Sequence, residues 1–152
     1  MIFDAIDKKL LKLLQEDSKQ TNKELSLKLN LSVTAVYERI KKLEREGVID
    51  KYVALITKEK VDKAFVVFCH IKLIQHSQTY VMEFEKDVAN LEEVVACFHI
   101  SGDYDYLLKV MVKDMEAFRE FMVHKLTSLN HIGSTHSMFA INEVKHTTAI
   151  SI

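Results

Sequence analysis

The chain has 152 residues, 48% hydrophobic and 28% charged, with 3 glycines, no proline and a formal net charge of −1. Ordinary usage would place about ten Gly and seven Pro in this length, so collagen-like, linker-rich and low-complexity chains are excluded. Ordinary apolar content with almost no net charge excludes disorder, and the length suits one domain or two small ones. The N-terminus carries Asp4 and Asp7 and no basic stretch before an apolar run, unlike a signal peptide. The longest uncharged apolar stretch starts at Ala64 and ends a little beyond Cys69, far short of the ~20 residues of a membrane span. A cytoplasmic protein is expected. Cys69 and Cys97 sit in apolar, strand-like surroundings and are expected to be reduced and buried.

Charge divides the chain near residue 60. Residues 1–63 hold 14 Lys and Arg against 11 Asp and Glu, a net of +3. Residues 64–152 hold 7 against 11, a net of −4, and all seven histidines. A basic half beside an acidic half suggests a nucleic-acid face on one side only.

The basic half reads as three short helices. Asp4 caps the first, whose apolar face is Ile6, Leu10, Leu13 and Leu14 and which runs to about Glu16. Thr21 and Glu24 form a capping box that opens a second helix carrying Leu25 and Leu29. Asn30-Leu31-Ser32 interrupts it, and Ser32 caps a third helix with Val33, Val36, Ile40 and Leu43 as its apolar stripe. Gly47 stops that helix, and Val48–Thr57 alternates like a strand pair. Three short helices followed by a β-ribbon describe a winged helix-turn-helix. The third helix is small and polar at its start and basic toward its end, as a recognition helix needs. Its polar face shows Thr34, Tyr37, Glu38, Lys41, Lys42 and Arg45, and the expected DNA-binding set is Ser32, Thr34, Tyr37, Glu38, Arg39, Lys41, Lys42 and Arg45. Ser32, Thr34 and Glu38 are expected toward bases, and Lys41, Lys42 and Arg45, with Lys51, toward phosphates.

The acidic half reads as strand–helix–strand written twice. Ala64–Ile74 is a β-rich run, and Ser77 caps a helix with Val81, Phe84, Val88 and Leu91 on one face. Val94–Ser101 is a second strand, Gly102-Asp103 a tight turn, and Tyr104–Lys113 a third strand. Asp114 caps a second helix through Phe118, Phe121, Met122, Leu126 and Leu129, and Ser134–Val144 returns as the fourth strand. The order βαββαβ gives a four-stranded antiparallel sheet with both helices on one face, a ferredoxin-like arrangement. Its open face would expose apolar side chains, and a self-dimer packed sheet against sheet would cover them. The polar cluster Ser101, Gly102, Asp103, Tyr104, Asp105 and Tyr106 reads either as a hairpin turn or as a small zwitterion pocket. In the pocket reading, N–H groups near Gly102 take a carboxylate, Asp103 or Asp105 an ammonium, and Thr135 and Ser137 lend hydroxyls. Domains are therefore expected at 1–50 (helix-turn-helix), 51–63 (β-ribbon linker) and 64–152 (ferredoxin-like effector and oligomerisation domain).

The chain resembles the Lrp/AsnC (leucine-responsive/asparagine-responsive, feast/famine) family of transcriptional regulators over essentially its whole length. The resemblance is carried by Asp4 and Asp7, Glu24-Leu25-Ser26, Leu31-Ser32 and the run Glu38–Ile49. It continues in Ser101-Gly102-Asp103-Tyr104-Asp105-Tyr106-Leu107-Leu108 and Glu143-Val144-Lys145. Val33 departs from the proline that many members carry after the recognition-helix serine. The resemblance implies double-stranded DNA and an amino-acid effector as partners, with no cofactor. It also implies a sheet-mediated dimer of a kind that commonly assembles into octamers. Effector residues carried over by position are Ser101 to Tyr106 with Thr135 and Ser137, and the effector acts through the oligomeric assembly. An alternative is a siroheme-decarboxylase-like enzyme on the same architecture. No HExxH, paired Cys/His set, phosphate loop or nucleophile motif supports catalysis or a metal. Another alternative is an amino-acid-binding module without DNA binding.

Overall fold

A computed structural model describes residues 3–152; Met1 and Ile2, at the head of the acidic N-terminus, lie outside the described residues. The chain divides into two compact units. One runs to Leu55 and takes in Val144–Ile152, and the other is Ile56–Glu143.

The first unit is built on α1 (Ala5–Glu16), α2 (Asn22–Leu29) and α3 (Val33–Arg45). Each begins where a short polar side chain satisfies an orphan backbone N–H. Asp4 accepts from the Asp7 N–H at 2.7 Å. Thr21 Oγ1 accepts the Glu24 N–H at 3.2 Å, and Glu24 accepts the Thr21 N–H at 2.7 Å. Ser32 Oγ accepts the Ala35 N–H at 3.1 Å. The turn between α2 and α3 pivots on Asn30, whose φ of 56° is left-handed and tolerated by Asn better than by most side chains. Gly47, at φ +69°, ends α3. There the Val48 N–H reaches back to Leu43 O at 2.9 Å and the Gly47 N–H to Glu44 O at 3.0 Å, a Schellman closure. Leu10, Leu11, Leu25, Leu29, Val36 and Leu43 form the core.

The expected β-ribbon is not formed. Residues 51–57 contain no strand, and Lys58–Val61 is a short 3₁₀ turn. Val48–Thr57 has no Gly, Pro or Asn to reverse the chain, and residues 50–57 form neither helix nor strand. Val53, Leu55 and Ile56 are exposed along it, and the Tyr52 hydroxyl bonds to Glu44 at 3.2 Å. In the structure Val144–Ile152 groups with the first unit. The Gln15 side-chain amide grips the Ile150 backbone in both directions, at 3.0 and 2.7 Å. A cavity of about 620 Å³ opens there among Leu11, Leu14, Tyr52, Val53, Ile150 and Ile152.

The second unit follows the expected βαββαβ order: β1 (Phe65–Leu73), α4 (Gln78–Val88), β2 (Val94–His99), β3 (Tyr106–Val112), α5 (Met115–His124) and β4 (Ile132–Phe139). All pairings are antiparallel and the strand order is β2-β3-β1-β4. Ser77 and Asp114 cap the two helices. α5 is shorter than its apolar pattern, giving way to a 3₁₀ turn at Leu126–Ser128, and β4 ends at Phe139 rather than Val144. Val67, Cys69 and Ile71 of β1 meet Phe84, Val88, Phe118 and Phe121 of the helices. Alternation puts the even-numbered β1 residues on the opposite face. Cys69 is buried as expected, but Cys97 is exposed, because β2 is an edge strand.

Candidate functional site

The outward side of α3 is the first candidate site. Ser32, Thr34, Tyr37, Glu38, Lys41, Lys42 and Arg45 are all exposed, along one side of a helix whose other side carries Val36 and Leu43. Their roles differ. Ser32 is the N-cap. Lys41 donates to Glu44 at 2.7 Å, which raises the lysine pKa and lowers that of the glutamate, and its Nζ stands 5.8 Å over the Tyr37 ring. Arg39 is turned inward. Its Nη1 lies 2.6 Å from Asp7 and 2.8 Å from Asp4, pinning α3 to the start of α1. Hydrogen bonds from Arg39 to both carboxylates hold its pKa above the ordinary value. The sequence reading counts Arg39 among the DNA contacts, because a pairing across 32 residues has no local signal. Lys42 lines a shallow concavity with Glu38, Arg39, Asp4 and Asp7.

The loop before β3 is the second candidate site. Gly102, at φ +116°, adopts a conformation open to glycine, and a Cβ there would meet nothing within 4 Å. The backbone angle alone, not crowding, calls for glycine. Ser101, Gly102 and Asp103 are exposed. Asp105 fastens the loop to the end of β1. Its N–H donates to Ile71 O at 2.8 Å, its carbonyl accepts the Ile100 N–H at 2.8 Å, and its Oδ2 accepts the Leu73 N–H at 2.7 Å. Its Oδ1 lies 2.7 Å from His76 Nε2.

The remaining expected effector residues fall on two faces. Tyr106 is buried on the helix face, donating to Glu85 at 2.8 Å, with Phe84 and His99 against its ring. Burial first, and the Glu85 carboxylate next, push its pKa far up, so it stays a neutral phenol. Tyr106, Ile71 and Thr135 are register partners in one row, and Leu108, Cys69 and Ser137 in the next. Thr135 and Ser137 therefore share the helix face, with Ser137 Oγ 3.7 Å from Cys69 Sγ. Tyr104 instead lies with His70 and His136, its ring 4.9 Å from that of His70, on the face away from the helices. That face carries a row of Phe98, Leu107, His70 and His136 beside one of Lys109, Phe68 and Met138. His76, His70 and Glu85 escaped the sequence reading. Strand register brings His70 beside His136, and packing brings His76 to Asp105 and Glu85 to Tyr106, which spacing along the chain does not encode. Among the described residues, no group of three or more His, Cys, Asp or Glu is placed to hold a metal, and no helix is long and apolar enough to cross a membrane.

A capped helix-turn-helix joined to a ferredoxin-like unit with a glycine loop defines a two-domain DNA-binding regulator with a ligand-binding domain. Known proteins agree on both halves. Residues 3–50 match the winged helix-turn-helix DNA-binding family and residues 66–150 the Lrp/AsnC ligand binding domain. The leucine-responsive regulatory protein of Escherichia coli K12 is 37% identical over 150 residues, 99% of this chain and 92% of that protein. Among solved structures, a Neisseria meningitidis transcriptional regulator in complex with L-Met aligns with TM-score 0.94 at 34% identity, covering 98% of this chain and 96% of that one. An AsnC family transcriptional regulator from Agrobacterium tumefaciens aligns with TM-score 0.93 at 37% identity, covering 97% and 96%. The chain belongs to the Lrp/AsnC family of transcriptional regulators.

Proposed function

We propose that this regulator binds operator DNA as a homodimer or a multiple of dimers, and that a free α-amino acid bound at the 101–106 loop changes that assembly. The observation that carries the reading is the pinned glycine loop, Ser101–Asp105, in a chain 34% identical to a regulator solved with L-Met and 37% identical to a leucine-responsive one. In this reading N–H groups near Gly102 receive the effector carboxylate and Asp103 or Asp105 its ammonium. Thr135 and Ser137 lend hydroxyls from the edge strand, while Tyr106, buried against Glu85, and Tyr104, on the opposite sheet face, do not line one pocket. Thr34, Tyr37 and Glu38 face bases beside the cap Ser32, while Lys41, Lys42 and Arg45 meet phosphates, as Lys51 does beyond the helix. Arg39 holds the helix in place and does not touch DNA. The dimer forms over the sheet face that carries Phe98 and Met138, 56% and 43% exposed in the single chain. Catalysis is no part of this reading, and its setting is the cytoplasm, where DNA and free amino acids meet.

A thermal-shift screen of the twenty L-amino acids, paired with an electrophoretic shift on the protein's own promoter region, tests it. A ligand that binds only the folded state raises the midpoint. A flat screen removes the amino-acid effector, and no retarded band removes the operator.

A further inference from the structure

The His76–Asp105 contact bears on how the loop takes its ligand. The backbone of Asp105 is held through its N–H and its carbonyl, and its carboxylate is oriented by Oδ2, which accepts the Leu73 N–H. Its side chain is only 15% exposed. Oδ1 is the oxygen these contacts leave over, and His76 Nε2 sits on it at 2.7 Å. His76 belongs to the short stretch between β1 and α4, and its own side chain is 66% exposed. An exposed ring on a loop can swing away at little cost, whereas the carboxylate is held at Oδ2. An α-ammonium group needs an acceptor of that kind, negative, partly desolvated and fixed in position.

We infer that His76 is a gate on the effector site: its imidazole covers Asp105 Oδ1 in the free protein, and the ammonium of an incoming α-amino acid displaces it. This rests on the amino-acid reading above and adds a competitor to it. The imidazole and the ammonium use the same oxygen, so each excludes the other. The gate therefore acts against ligands through their amino group alone. A ligand with the same side chain and carboxylate but no amino group leaves His76 where it is.

Calorimetric titration of the full chain tests this with the twenty L-amino acids, and then with the des-amino counterpart of the tightest binder. In His76→Ala the amino acid is expected to bind about two- to fivefold more tightly, the scale of an exposed surface contact removed from competition. Affinity for the des-amino acid is expected to stay unchanged. His76→Gln, which keeps a neutral N–H donor at similar reach, should fall between wild type and His76→Ala. Unchanged or weaker amino-acid binding in His76→Ala overturns the gate and leaves the effector reading standing. So does an equal change for both ligands, which would mark a general effect on the loop. If no amino acid binds either protein, the effector reading itself falls, and the gate with it.

Discussion

Arg39 shows how one side chain separates scaffold from contact. Its partner Asp7 is nearly buried, with a side chain 7% exposed. Arg39→Ala strands that carboxylate and should lower stability by about 1–3 kcal/mol, read as a drop in the urea midpoint. Pairing it with Asp7→Ala should recover part of the loss, since the stranded charge goes too. Lys42 is the contrasting case, an exposed cation on α3 that the proposed function sets against a phosphate. Lys42→Ala should weaken binding to all DNA sequences alike and flatten the plot of log affinity against log salt by about 0.9. Arg39→Ala should leave that slope as it is. A slope change in Arg39→Ala and none in Lys42→Ala would exchange their roles.

At the level of elements, the starts of α1 and α2 carry carboxylates and with them a pH dependence. Asp4 has its pKa lowered by the Asp7 N–H and then by Arg39, and Glu24 by the Thr21 N–H and hydroxyl. A carboxylate whose pKa is lower in the folded state contributes stability above its unfolded value and loses it as pH falls through the folded one. The first unit should therefore lose stability on acidification below the ordinary carboxylate range. A thermal-melt series from about pH 7 to about pH 2.5 checks this, and in Asp4→Asn with Glu24→Gln, which keep neutral caps, the decline should be shallower. Gly47→Val should cost about 1–2 kcal/mol, because φ +69° crowds a Cβ against its own backbone. These caps and stops were legible in the sequence, since each joins residues three to five apart. So was the βαββαβ order, through alternating strands and capped amphipathic helices. The β-ribbon was misread because Val48–Thr57 has strand composition but no turn with which to pair against itself. The end of β4 was placed too late because apolar Ala140, Ile141 and Val144 follow after the strand has stopped at Phe139. The His76–Asp105 and Arg39–Asp7 contacts were not legible at all, because only the folded arrangement brings their partners together.

Taken whole, the molecule is a reader and a sensor in one chain, with the basic residues concentrated in the reader. The exposed Phe98 and Met138 call for a partner surface, so light scattering should return a dimer or a multiple of it. Met138→Glu should shift that distribution toward smaller species. Coupling between effector and operator is a free energy shared by both sites, of about 1–3 kcal/mol in typical regulators. The most direct test is a fluorescence-anisotropy titration of the promoter fragment, run with and without the amino acid that gives the largest thermal shift. Operator affinity is expected to change by about fivefold or more, with the same effector causing no change in a Gly102→Val variant. Identical operator affinity with and without a bound effector would contradict the coupling of sensor to reader.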